Sequence, residues 1–175
     1  MDEGMSEANE RIYRGLLREM AALAASAAAD GTPHITGTVV PEPGADGVDA
    51  DGEFLFDDGL YVRLRPAAEA TEALVEVYML DLALVSGPAR DLLFHAIGQC
   101  NAVGAAGRPF AIGVDERDYA VLFRRLPLAG MTAETLMAEM SYLVEQGRDV
   151  RSLLNQLALG TLPARTIPAA DGASA

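Results

Sequence analysis

The sequence contains no lysine and no tryptophan, one cysteine and two histidines in 175 residues. Each scarcity removes a class of function. The lone cysteine, Cys100, rules out an intrachain disulfide. His34 falls in a Pro/Gly stretch and His95 within a helical pattern, and neither has a second His, Cys or Glu at metal-ligand spacing. Basic residues are few: 13, all arginine, against 26 acidic, for a net charge of −13. Such a surface repels phosphate backbones, and the only adjacent basic pair, Arg124-Arg125, lies at a predicted strand end. Nucleic acid is therefore not an expected partner. Long apolar runs are missing too. Ala21–Ala29 is short, and Leu74–Val85 is broken by Glu76 and Asp81, so no membrane insertion is expected. The start, MDEGMSEANER, is acidic where a signal peptide needs a basic region and an apolar run. These absences predict a soluble cytoplasmic protein.

Catalytic arrangements are equally scarce. No serine stands in a nucleophile-elbow context. Gly104 and Gly107 close a helix where a phosphate cradle would need them to open one. Asp46, Asp49 and Asp51 alternate as in a calcium loop, without the glycine and distal glutamate of an EF-hand. Asp57-Asp58 sits at a turn tip, with turn chemistry as the simpler explanation. No enzyme activity, metal or cofactor is predicted.

What the chain does contain is a core. Half of its residues are hydrophobic, and a domain of this size buries about 68–70% of its unfolded surface. Residues 1–160 read as a single domain and 161–175, with two prolines and small residues, as a disordered tail. Ser6 to about Ala29 forms a helix with Ile12, Leu16, Met20, Leu23 and Ala27 as its stripe, flanked by Tyr13 and Leu17. Ile35–Val40 is a candidate short edge strand, stopped by Pro41 and Pro43; residues 41–52 read as a mobile acidic loop. Glu53–Arg65 is a hairpin turning on Asp57-Asp58-Gly59, with Gly59 in the left-handed conformation. Ala73–Val85 is a long strand, apolar on both faces, which suits a central position or a partner on its outer face.

Ser86–Gly107 is the organising helix. Ser86 caps it, Pro88 suits its first turn, and Leu93, Ala96, Ile97, Cys100 and Val103 form its apolar stripe. The neighbouring face, Phe94, Gly98, Asn101, Ala102 and Ala105, is small-sided. Two readings fit: a tightly packed core helix, or one that also packs on a second subunit. A second hairpin follows over Arg108–Arg125, with Tyr119, Val121 and Phe123 predicted inward. Thr132 then caps a last long helix, with Glu134 in its first turn and Gly147 a potential break. The fold class is α+β: an antiparallel sheet of about five strands with three helices, in the order α-β-β-β-α-β-β-α, covered by helices on one face.

Two stretches carry a family resemblance over roughly Glu10–Leu157. They are Phe54-Leu55-Phe56-Asp57-Asp58-Gly59-Leu60-Tyr61-Val62, and Tyr119-Ala120-Val121-Leu122-Phe123-Arg124-Arg125-Leu126-Pro127-Leu128 followed by a capped amphipathic helix. Together with the size, the acidity and the element order, they resemble the class I type III secretion chaperones, the CesT-like family. The long Pro/Gly/Asp segment before the first hairpin and the extended tail depart from its pattern. The resemblance implies a homodimer, with Phe94, Gly98, Asn101, Ala102 and Ala105 at the interface. It also implies that secreted effector proteins are bound through their N-terminal region in extended form. The secretion ATPase is a further candidate partner. Leu55, Tyr61 and Leu122, at strand positions read as outward, and Leu17 and Met20, at the rim of the first helix, are the candidate effector contacts. Ordinary burial under the chain's own helices is the alternative for these residues. The competing function is a non-catalytic dimeric regulatory or assembly module that binds a folded partner.

Overall fold

The computed structural model describes residues 3–29, 35–39, 51–67, 70–104 and 109–160. The predicted tail and most of the predicted acidic loop lie outside them. In chain order the elements are α1 (Glu3–Ala29), β1 (Ile35–Val39), β2 (Gly52–Phe56), β3 (Tyr61–Pro66), β4 (Glu72–Asp81), a short 3₁₀ turn (Leu82–Leu84), α2 (Pro88–Gly104), β5 (Ala111–Val114), β6 (Tyr119–Pro127) and α3 (Ala133–Ala158). The α+β class and element order match the sequence reading, with one correction. The candidate edge strand pairs with β2, so the sheet has six strands where about five were expected, in the order β1-β2-β3-β4-β6-β5. Every neighbouring pair is antiparallel.

The helices lie on one face of this sheet. Side chains alternate across a strand, and in β4 the buried residues are Ala73, Val75, Val77 and Met79, while Leu74, Glu76, Tyr78 and Leu80 keep partial exposure. Cross-strand pairing carries that division sideways, because directly opposed residues share a face. Val77 stands opposite Val62 on one side and Leu122 on the other, and all three are fully buried. Each such Val or Leu contributes about 1.5–3 kcal/mol relative to exposure. Above them pack Tyr13, Leu17 and Met20 from α1, Leu93 and Ile97 from α2, and Leu136, Met140, Leu143 and Leu154 from α3.

Two glycines mark where helices press closest on the sheet. A Cβ on Gly147 of α3 would fall 2.9 Å from the Val77 Cγ1 methyl, and one on Gly52 of β2 would fall 2.6 Å from Leu17 Cδ2. Gly147 is therefore a contact point in an unbroken helix, where the sequence suggested an interruption. The long third strand also ends earlier than predicted. A bulge between Tyr78 and Leu80 bends β4. Beyond it the Asp81 carboxylate accepts from the Ala83 N–H at 2.9 Å, which starts the 3₁₀ turn and turns Leu82 into the core.

Candidate functional site

The side of α1 turned to the sheet is Tyr13, Leu16, Leu17, Met20 and Ala24. The helix is thus rotated from the predicted stripe: Leu16 and Met20 keep their place, but Ile12 is 54% exposed and Leu23 is 36% exposed. Leu17 and Met20, expected at the rim, are fully buried core residues. The residues expected in the core, Leu23 and Ala27, instead line an open groove. With Ala24, Ile35 of β1, and Met137 and Ala138 of α3, they bound a cavity of about 440 Å³ to which Glu134 and Ser141 add polar groups. This groove escaped the sequence reading, although a signal existed. The apolar arc of α1 from Ile12 to Ala27 is wider than one stripe, and its excess has to face something other than the sheet.

The uncovered sheet face is the second surface. Register sets Leu55, Tyr61, Tyr78 and Val121 in one row across four strands. The Tyr61 and Tyr78 rings meet edge-on at 5.1 Å between centroids, and Tyr78 meets Tyr119 at 5.9 Å. The next row runs Glu53, Arg63, Glu76, Phe123. Arg63 is ion-paired with Asp51, and Arg65 reaches Glu76 through two hydrogen bonds of 3.1 and 2.9 Å. Burial, helped by a hydrogen bond with Glu53, pushes the Tyr61 phenol up, and burial does the same for Tyr78. Both remain neutral donors at physiological pH. A cleft of about 440 Å³ opens on this face, lined by Tyr78, Phe123 and Arg125 among others.

Of the five candidate effector contacts, Leu55 is exposed and Tyr61 half-buried, side by side on this outer face. Leu122 lies opposite Val77 and is fully buried, which corrects its outward placement. Tyr119, Val121 and Phe123, predicted inward, take the outer side. The segment is apolar on both faces, so alternation by itself did not choose between them; pairing with β4 did.

On α2 the stripe of Leu93 and Ile97 is buried as predicted, while Phe94, Gly98 and Ala102 are exposed along the opposite side. Nothing lies within 4 Å of a Cβ built on Gly98. Arg90 donates to the Leu82 carbonyl at 2.5 Å and to Asp118 at 2.8 Å, and its guanidinium sits 5.3 Å from the Phe94 ring centre, fixing that ring at the surface. Asn101 is turned toward β5, and Ala105 lies outside the described residues. His95 is exposed, its Nε2 2.9 Å from Gln99 Nε2.

Asp57 and Asp58 hold the first hairpin to α3. The Asp58 carboxylate accepts from Arg148 at 2.9 Å, from Arg151 at 2.7 Å and from the Leu60 N–H at 3.2 Å, while Arg148 also reaches Asp57. Burial alone would raise the Asp58 pKa, but these donors outweigh it and hold the carboxyl below its usual range. The pair is thus turn chemistry plus a tertiary anchor.

No protein-family model matches the chain, and no curated protein matches it. Solved structures do. A chain of the ExsC–ExsE complex superposes with a TM-score of 0.56 at 20% identity, over 78% of this chain and 93% of that one. A chain of the HopA1–SchA chaperone–effector complex gives 0.55 at 15%, over 82% and 95%. The Yersinia pestis type III secretion chaperone SycH, in complex with a fragment of YscM2, gives 0.47 at 18%, over 78% and 98%. This chain shares its α+β fold with the chains of the ExsC–ExsE and HopA1–SchA complexes. The α+β class expected from the element order, three helices with an antiparallel sheet, is the fold that this likeness supports. Among the described residues no helix is long and apolar enough to cross a membrane.

Proposed function

We propose that this chain is a non-enzymatic, cytoplasmic type III secretion chaperone that binds the N-terminal region of effector proteins. In this role it keeps them soluble and export-competent and presents them to the secretion apparatus. The observation that carries this reading is the open apolar groove between α1 and α3, bordered by Ile35 of the sheet-edge strand β1. An edge strand offers main-chain hydrogen bonds to an extended segment, and an adjacent apolar groove receives that segment's alternate side chains. The fold shared with a chain of a chaperone–effector complex supports the same reading. The −13 charge keeps a carrier of apolar segments soluble and favours basic effector segments.

The functional unit in this reading is a homodimer joined through the exposed side of α2, where Phe94, Gly98 and Ala102 let a second helix approach closely. Leu55 and Tyr61 add a contact patch on the outer sheet face. Limited proteolysis of the complex purified from its native host tests the proposal. A partner protected only near its N-terminus supports it. A partner protected throughout as a folded domain supports the regulatory or assembly module instead, and a bare monomer removes the dimer.

A further inference from the structure

An open sheet ends in two strands with unpaired N–H and C=O groups, which are templates for pairing with another chain. Here the two ends are β1 and β5, and they are finished differently. β5 is only four residues long. In an antiparallel ladder alternate residues point both backbone groups to the same side. Ile112, opposite Leu122, gives both of its groups to one side chain of α2. Asn101 Nδ2 donates to the Ile112 carbonyl at 2.6 Å, and the Ile112 N–H donates to Asn101 Oδ1 at 2.8 Å. A single carboxamide thus occupies the place that a peptide group of an added strand would need. It is carried on a helix anchored by buried Leu93 and Ile97, so it is not easily displaced. Asparagine is a poor helix former because its side chain competes for backbone groups, and at this position that tendency is turned onto the neighbouring strand. Among the described residues no side chain closes β1 in this way.

We infer that Asn101 is an edge lock, which withholds β5 from strand pairing and leaves β1 as the one edge where this sheet accepts an added strand. The β1 half rests on the proposed chaperone function, whereas the β5 half does not. Two copies meeting through α2 therefore keep separate sheets.

Residue-resolved hydrogen exchange on the full chain without any partner tests the lock. The Ile112 amide should be protected well beyond the free-edge amides of β1. In Asn101→Leu, similar in shape and a better helix former, it should exchange about tenfold faster, equivalent to about 1.4 kcal/mol. This variant should also self-associate at concentrations where the wild type does not. Asn101→Ala gives the same readout should leucine pack poorly. Equal exchange at Ile112 and the β1 edge in the wild type, exchange unchanged by both substitutions, or an opened Ile112 without new association each overturn the lock. Failure of the chaperone reading looks different: no partner is captured, yet Ile112 stays protected.

Discussion

Gly147→Ala should destabilise this protein, although alanine is the better helix former. Replacing glycine inside a helix gains about 0.8–1.0 kcal/mol from propensity. Against this, the new Cβ would stand 2.9 Å from Val77 Cγ1. Val77 is fully buried and β-branched, so it has little freedom to move aside. Forcing a methyl into a packed core costs about 1–3 kcal/mol, which leaves a net loss of roughly 1 kcal/mol from the two terms. For a chain of this length that lowers the thermal midpoint by about 2–4 °C. The cause is tested by removing the obstacle. In Val77→Ala the γ methyls are gone, and the remaining neighbours, Val77 Cβ at 3.7 Å and Met79 Cγ at 3.9 Å, are ordinary contacts. In that background Gly147→Ala should stabilise by up to about 1 kcal/mol, giving a coupling of about 2 kcal/mol, within the range for touching residues. Urea unfolding of the four proteins at one fixed concentration, with unchanged slopes, supplies the cycle. A Gly147→Ala protein more stable than the wild type, or an equal effect in both backgrounds, would refute the close approach of α3 to β4.

Leu122→Ala should cost about 2–5 kcal/mol as a core truncation, read as a lowered thermal midpoint; an unchanged midpoint would return Leu122 to the outer face. Asp58→Asn should lower stability at neutral pH by about 0.2–1 kcal/mol per arginine pair lost. The folded carboxyl is held below its unfolded value, so its contribution is complete above the usual carboxylate range and disappears as pH falls through the folded value. Denaturation curves of wild type and variant should therefore converge in acid, and a gap that persists there contradicts the anchor. Gly98→Trp faces open space, so the domain should stay folded, and in the proposed homodimer the sedimentation mass should halve; a dimer that survives means α2 is not the contact. Leu23→Asp, at a partly exposed groove position, should leave the unfolding free energy within about 0.5 kcal/mol of wild type and, under the proposed function, abolish effector capture. Undiminished capture would remove the groove from the binding surface.

Local signals in the sequence were strong where one residue type meets one backbone need. Asp57-Asp58-Gly59 predicted the first hairpin, and Gly59 has φ +76° as its turn requires. Thr132 caps α3 by accepting from the Thr135 N–H at 3.2 Å, as a threonine before an amphipathic run should. The errors share another cause. α1 and β6 are apolar around more than the buried face, and the pattern of such an element does not say which side meets the sheet. Leu17 and Leu122 were consequently read as candidate contacts with burial as the alternative, while Leu23 and Ala27, which line the groove, were placed on the buried stripe. Gly147 likewise reads as a helix break unless the nearness of Val77, 70 positions earlier in the chain, is known.

The sequence by itself determined the class of the fold, the order of its elements and the acidity of the chain. These depend on periodicity, caps, turns and composition, all properties of neighbouring residues. Tertiary structure alone decided which side of each doubly apolar element is buried, where the open groove lies, and that Asn101 serves the β5 edge. Those outcomes follow from pairing between residues far apart in the chain: Leu122 against Val77, Asp58 against Arg148, Asn101 against Ile112. Local propensity carries no record of such partners, because register and packing select among side-chain patterns that local rules leave equally acceptable.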